Sequence, residues 1–516
     1  MSHNLIYHGC EVQLGIGQLA AIDVVIVLIY LVGITVFGSW VGRFIKTDRD
    51  FFLGGRNLPW WAIGMSMVVS DIGALELVGV AGAAYTYGIA VANFDWIGCI
   101  PALVLAAFIF IPFYWRSKVF TIPEYLGRRY NQLVRSMVAV IWGVVFIFQL
   151  GIFFYTAAKT MHILCGWPIY FSIVLTALVV GIYTFFGGLT AVVYSDAIQC
   201  VLLFVGSILI LAIALFKVGG YNELMGQISS LGTDFEHHLS LIVPADSPTP
   251  FSWAGILFGL AFVLSPAYWL GNQAIVQRNL GARSEYEAKK SVLWAAFLKL
   301  FIPIILVGPG LIGVVLHPGL ENGDDIYPTL IYELLPPGVT GIVFAAFLAA
   351  LMSSVDTYLN SASTIWTKDV YQKFIMPGRD EHHYMLVGKV LVLLFVVLGV
   401  FLAPLSGRFP SIFGYFVTIY SVFQGPLLAI LLLGFLWPRA NGKGAAAGLA
   451  FGVCTSAALF WIQDLLFTCP EPYLYIAWWA FLAALAGTVA VSLVTKAPPA
   501  GKIAHLVYRG GVDQGS

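Results

Sequence analysis

Charge is scarce in this sequence. Asp, Glu, Lys and Arg make up only 10% of its 516 residues, against about a quarter in soluble domains. A chain that is also 60% hydrophobic has too little polar surface to face water all round, which excludes a soluble globular protein and implies a polytopic membrane protein. Acidic and basic residues balance at 26 each, so no excess of positive charge points to nucleic acid. The six cysteines, at 10, 99, 165, 200, 454 and 469, show no metal-ligand spacing. Cys99, Cys200 and Cys454 fall in or beside apolar runs, where cysteine acts as a small hydrophobe. No HExxH, no paired catalytic histidine and no Ser–His–Asp set at a shared depth marks an enzyme; His237, His238, His382 and His383 fall in loops. No filter segment repeats as a channel would need. Residues 1–19 lack the charged start of a signal peptide, which makes the first apolar run a retained span.

What the chain has is length in apolar runs. Runs of 18–25 residues predict about thirteen transmembrane helices, near 22–41, 60–86, 96–114, 135–158, 167–185, 191–216, 251–272, 291–316, 337–366, 385–402, 411–437, 445–462 and 473–495. With the N-terminus outside and the C-terminus inside, twenty-two of the 26 Lys and Arg fall in cytoplasmic segments. Three (Lys159, Lys217, Arg408) fall outside, and Lys299 lies within a span. That asymmetry is a strong positive-inside signal.

The stretch from Ser66 to Gly98 carries Asp71 and Glu76 with glycines at 73, 79 and 82. A carboxylate at bilayer depth costs about 2.5–3.5 kcal/mol even on a lenient scale. Glycines that let a helix unwind are tolerable there where the freed backbone lines a site, and its carbonyls suit a hard cation. The glycines alone would equally allow close helix packing. A matching interruption is predicted at LSPAYWLGNQ, residues 264–273. Two interrupted spans in corresponding places predict an inverted repeat of five plus five helices. The expected units are 1–59 with a peripheral first helix, 60–216, a 217–250 outer loop, 251–437, and 438–516 with two further helices and a short tail.

Asp71, Glu76, Asp196, Lys299 and Asp356 lie at depths that need a reason, and Asp95 sits at an outer mouth. With Lys299 as the lone base within a span, the acids call for a bound cation, a proton or a cationic solute. The helix around 344–369 brings Ser353, Ser354 and Thr357 to an apolar surface. Adjacent serine oxygens, with the Ala350 carbonyl one turn earlier, offer ligands to one small ion, although membrane hydroxyls also bond back along their own helix. Asp196 suits a second cation or a proton, or the capping of a helix start beside Ser195. Tyr268 and Trp269 stand at the second interruption, placed to stack on a ligand or to pack.

Several segments together resemble the sodium/solute symporter family, closest to its sodium–glucose cotransporter branch: DFFLGGRNLPWW (50–61), TIPEYLGRRY (121–130), FFGGLTAVVYSDAIQ (185–199), NQAIVQRNLGA (272–282), AAFLKL (295–300) and ALMSSVDTYLNSASTIWTKDVY (350–371). The resemblance implies an all-α, LeuT-type fold working by alternating access, with Na⁺ as coupling ion. Carried over by position, the sodium ligands are the carbonyls of Val69, Ile72 and Ala350 with the hydroxyls of Ser353 and Ser354. Asp196, with Thr357, matches the acid linked to a second sodium or to ion exit. Tyr268 matches an inner-gate tyrosine with Trp269 beside it, and Lys299 a substrate-contacting lysine. Asp71, Glu76, Asp95, Ser265 and Thr418 stand at substrate-contacting positions where sugar-carrying relatives have Asn, Gln or His, Glu, Asn and Gln. The implied function is sodium-coupled symport of a small polar solute, a sugar or polyol first. The alternative is sodium- or proton-coupled symport of an amine-bearing, cationic or monocarboxylate solute. The expected partners are that solute, sodium and the lipid bilayer, for a monomer in a bacterial inner membrane.

Overall fold

In bilayer hydrocarbon every backbone N–H and C=O must be satisfied within the segment, so apolar runs of this length become helices. The computed structural model describes residues 19–232, 235, 237–409, 411–469, 471–503 and 506–508; Cys10 and most of the tail beyond 503 lie outside them. Its principal helices are α1 (Ala21–Gly42), α2 (Trp60–Asp71), α3 (Ala74–Tyr87), α4 (Phe94–Ser117), α5 (Gln132–Cys165), α6 (Ile169–Val218), α7 (Gly255–Gly271), α8 (Gln273–Leu280), α9 (Glu285–Leu316), α10 (Val339–Ile375), α11 (Glu381–Ser406), α12 (Ile412–Leu436), α13 (Gly442–Trp461) and α14 (Tyr473–Val494). Among the described residues eleven helices are long and apolar enough to cross a membrane, or up to twelve with the bent pair α7–α8. The expected count of thirteen is not reached on that measure. The run near 167–185 contributes only the shorter apolar stretch Ile169–Gly181. It continues through a bend at Gly188, where φ is 52°, into the rest of α6.

Burial separates core from periphery. Nearly all of α10 is buried whereas most of α1 is not, so α10 is central and α1 is peripheral, with Ile22, Val25, Leu28, Ile29 and Val32 exposed. Polar contacts tie α1 down: Gln199 on α6 donates to the Tyr30 hydroxyl at 3.1 Å, and Asp23 anchors its start. The buried carboxylate of Asp23 accepts the N–H groups of Gly338 and Gly341, both at 2.7 Å, at the start of α10. Elsewhere helix starts are fixed by short polar side chains accepting orphan N–H groups, as Asn131 does for Val134 and Asn441 for Gly444.

Both predicted interruptions are present. α2 ends at Asp71, and Ile72 leaves helical geometry (φ −101°, ψ 81°) before α3 begins at Ala74. α7 and α8 meet at a 47° bend at Asn272 (φ −75°, ψ 116°), whose side chain accepts the Ala274 N–H to restart the helix. Pro266, by contrast, lies inside α7 where the π-helical turns Gly255–Leu264 give way to α-helix, and the helix continues through it without a break.

Candidate functional site

At the first break the chain comes within bonding distance of α10. A Cβ on Gly73 would collide with the Ser354 hydroxyl, so this close approach requires glycine. The Ser353 hydroxyl donates to the Val69 carbonyl at 2.7 Å and to the Ala350 carbonyl at 2.9 Å. Ser354 donates to the Ala350 carbonyl at 3.2 Å and to the Ser70 carbonyl at 3.3 Å. Back-bonding along α10 and bridging to α2 therefore coexist. Val69, Ile72, Ala350, Ser353 and Ser354 are all buried.

Across the break, a cavity of about 90 Å³ is lined by Asp71, Glu76, Asp95, Ser265, Tyr268, Trp269 and Lys299 from the expected set. Thr418 is not among its lining residues. α12 instead contributes Val417, Tyr420 and Gln424. Glu76 accepts the Gly73 N–H at 2.7 Å, capping the start of α3. Lys299 pairs with Asp71 and with Asp95, the latter at 2.7 Å. Carboxylate oxygens of Asp71 and Asp95 and the Cys99 sulfur lie within 4.8 Å of one another, an arrangement that could suit a metal, but the Lys299 ammonium already bonds both carboxylates. Tyr268, Tyr358 and Tyr420 form a hydroxyl chain at 3.2 and 3.1 Å. Only Tyr268 and Tyr420 of the three line the cavity.

Asp196 changes most between sequence and structure. It lies inside α6, well past the Gly188 bend, and Ser195 bonds back to the Ala191 carbonyl at 2.7 Å. Capping is therefore not its role. Its carboxylate accepts from Ser66 at 2.5 Å, from Ser70 at 3.1 Å and from Arg278 at 3.2 Å. Arg278, on α8, is 1% exposed and also donates to Ser66 at 2.5 Å, to Ser70 at 2.6 Å, and to Thr357 and the Ala274 carbonyl. This overturns the count in which Lys299 was the lone base within a span. Arg278 belongs to the second half of a broken span, where its spacing reads like the loop that follows. The oxygens of Asp196 and Thr357, expected to hold a second sodium, surround a guanidinium. Asp356 is fully buried on α10 and does not line the cavity.

The sodium:solute symporter family model matches residues 51–452. Among characterised proteins, the chain is 32% identical to the sodium/glucose cotransporter of Vibrio parahaemolyticus over 84% of both chains. It is 33% identical to the sodium/myo-inositol cotransporter 2 of Oryctolagus cuniculus, over 94% of this chain and 78% of that one. It is 32% identical to a sodium/mannose cotransporter of Bos taurus, over 95% and 89%. Among solved structures, a substrate-bound, outward-open Na⁺-coupled sialic acid symporter superposes with a TM-score of 0.83 at 23% identity, over 93% of this chain and 99% of that one. A nucleobase-cation-symport transporter in a closed conformation superposes at 0.57 and 13% identity, over 88% and 97%. These likenesses show a LeuT-type fold.

Proposed function

Since the chain belongs to the sodium:solute symporter family, we propose that it carries a sugar or polyol inward by alternating access, with the ion at the α2–α3 break and the solute in the adjoining cavity. It is a multi-pass membrane carrier coupled to Na⁺ and not an enzyme. One observation supports this placement above the others: the Ser353 hydroxyl joins the carbonyls of Val69 and Ala350 at 2.7 and 2.9 Å. Oxygens about 3 Å apart suit neighbouring ligands of one hard cation at ligand distances of ~2.3–2.6 Å. When sodium binds, both serine hydroxyls rotate their protons away and present lone pairs. Ile72 supplies a further carbonyl from the unwound segment. Because the break itself provides ligands, sodium fixes the angle between α2 and α3 and so orders the wall that carries Asp71 and Glu76. Ion binding and solute binding are then coupled, each raising the affinity for the other by the same factor.

In this reading residues 60–216 and 251–437 form the two inverted halves, 217–250 is an outer loop, and 438–516 adds two helices and the tail. The N-terminus lies outside, the C-terminus inside, and the carrier works as a monomer in a bacterial inner membrane. Sugar or polyol is favoured by the substrates named for the glucose, inositol and mannose relatives. The cavity supplies carboxylates as hydroxyl acceptors. The test is sodium-dependent uptake into vesicles by a Ser353→Ala, Ser354→Ala variant. Losing two ligands at about 1.5–3 kcal/mol for each contact to a charged group shifts half-saturation for sodium by at least tenfold. An unchanged sodium dependence refutes the ion site.

A further inference from the structure

The cavity presents its carboxylates and hides its ammonium. Lys299 is 1% exposed, while the side chains of Asp71 and Asp95 that grip it keep 15% and 11% of their surface. A solute on that wall therefore meets more of the Asp71 and Asp95 side chains than of Lys299, which also lines the cavity. Glu76 adds a third carboxyl group, so with every acid ionised the lining carries three acids against one base, a formal charge of minus two. A sodium ion on the neighbouring oxygens, none of which is itself an acid, reduces this to minus one. A net charge held away from water is costly unless a proton on one of the carboxyls or a cationic solute cancels it.

A second observation comes from the opposite side. Gln424 is 2% exposed, lines the same cavity, and its amide nitrogen has no hydrogen-bond partner. A buried donor without an acceptor costs about as much as a lost hydrogen bond, and an acceptor oxygen on the bound solute would satisfy it. The volume of about 90 Å³ holds roughly six to nine water-sized groups at 10–15 Å³ each, which suits a monosaccharide-sized molecule or smaller. Resting on the symporter reading above, we propose that the transported solute is a cationic amino polyol, its ammonium beside Asp71 and Glu76 and a hydroxyl or ring oxygen accepting from Gln424.

The experiment is thermal unfolding of the purified full-length protein at pH 6.5 in NaCl and in KCl of equal ionic strength. The probes are matched pairs: sorbitol with 1-amino-1-deoxysorbitol, and glucose with glucosamine, plus N-acetylglucosamine as the amine with its charge removed. In sodium, each amine is expected to bind at least tenfold more tightly than its neutral partner, and Asp71→Asn to narrow that gap below threefold. Neutral members binding as tightly as the amines in the unmutated protein overturn the proposal, as does a panel on which no probe stabilises it. An amine preference identical in KCl, with no stabilisation by sodium alone, supports the charge selectivity and overturns the sodium coupling instead.

Discussion

Replacing Arg278 by Gln is the most informative single change, because the structure gives that side chain one buried acid and several hydroxyls at once. Asp196 and Arg278 are 0% and 1% exposed and sit 3.2 Å apart. Removing one member of a buried ion pair costs about 3–5 kcal/mol, because the other charge is left without compensation. Here the stranded carboxylate still accepts from Ser66 and Ser70, which puts the expected loss near the lower limit, about 3 kcal/mol. Removing both charges together is often close to neutral. Arg278→Gln combined with Asp196→Asn should therefore recover most of what Arg278→Gln loses. A double-mutant cycle on denaturant unfolding in detergent measures the coupling directly. Sodium gives a second readout. With the guanidinium gone, the oxygens of Asp196, Ser66, Ser70 and Thr357 are free to take the ion, and sodium at a hundredfold excess over its Kd would restore about 2.7 kcal/mol. If the two single losses simply add, Asp196 and Arg278 do not act as a pair.

Two other expectations follow from packing and from one histidine. A Cβ at Gly259 on α7 would run into the Leu474 carbonyl on α14, whereas at Gly33 on α1 it meets nothing within 4 Å. Gly259→Ala should lower stability by about 1–3 kcal/mol through overpacking, while Gly33→Ala should be neutral or raise it by a few tenths up to about 1 kcal/mol; thermal unfolding of the two variants separates them. His238, in the loop after α6, bonds the Tyr85 carbonyl at 3.1 Å, and burial holds its ring below the usual histidine value of 6.5. The folded state therefore binds that proton less readily than the unfolded chain. The stability of the neutral ring is complete above about pH 6.5 and is lost as pH falls toward the folded value. His238→Gln should flatten that part of the pH–stability curve.

The relation between sequence and site differs from residue to residue. The break at Ile72 was legible because Gly73 and the paired acids stand inside an apolar run, and the serine pair on α10 because hydroxyls there interrupt an otherwise apolar face. Gln424 was missed. It stands in a stretch whose polar residues also include Thr418, Tyr420 and Ser421, and linear spacing does not say which of them faces the cavity. Arg278 was misplaced because it lies among the bases of the segment that follows, and a bend at Asn272 returns it to the interior.

The sequence by itself determined the membrane class, the run of helices and the two places where helices break. Those properties follow from local rules: a backbone in hydrocarbon must bond within its own segment, and a glycine or an acid there marks where that rule is relaxed. Only the tertiary structure decided which charges meet. Lys299 reaches Asp95 across 204 residues and Arg278 reaches Asp196 across 82. A charge withdrawn from water takes whichever opposite charge lies nearest in space, and helix packing sets that distance, not position along the chain.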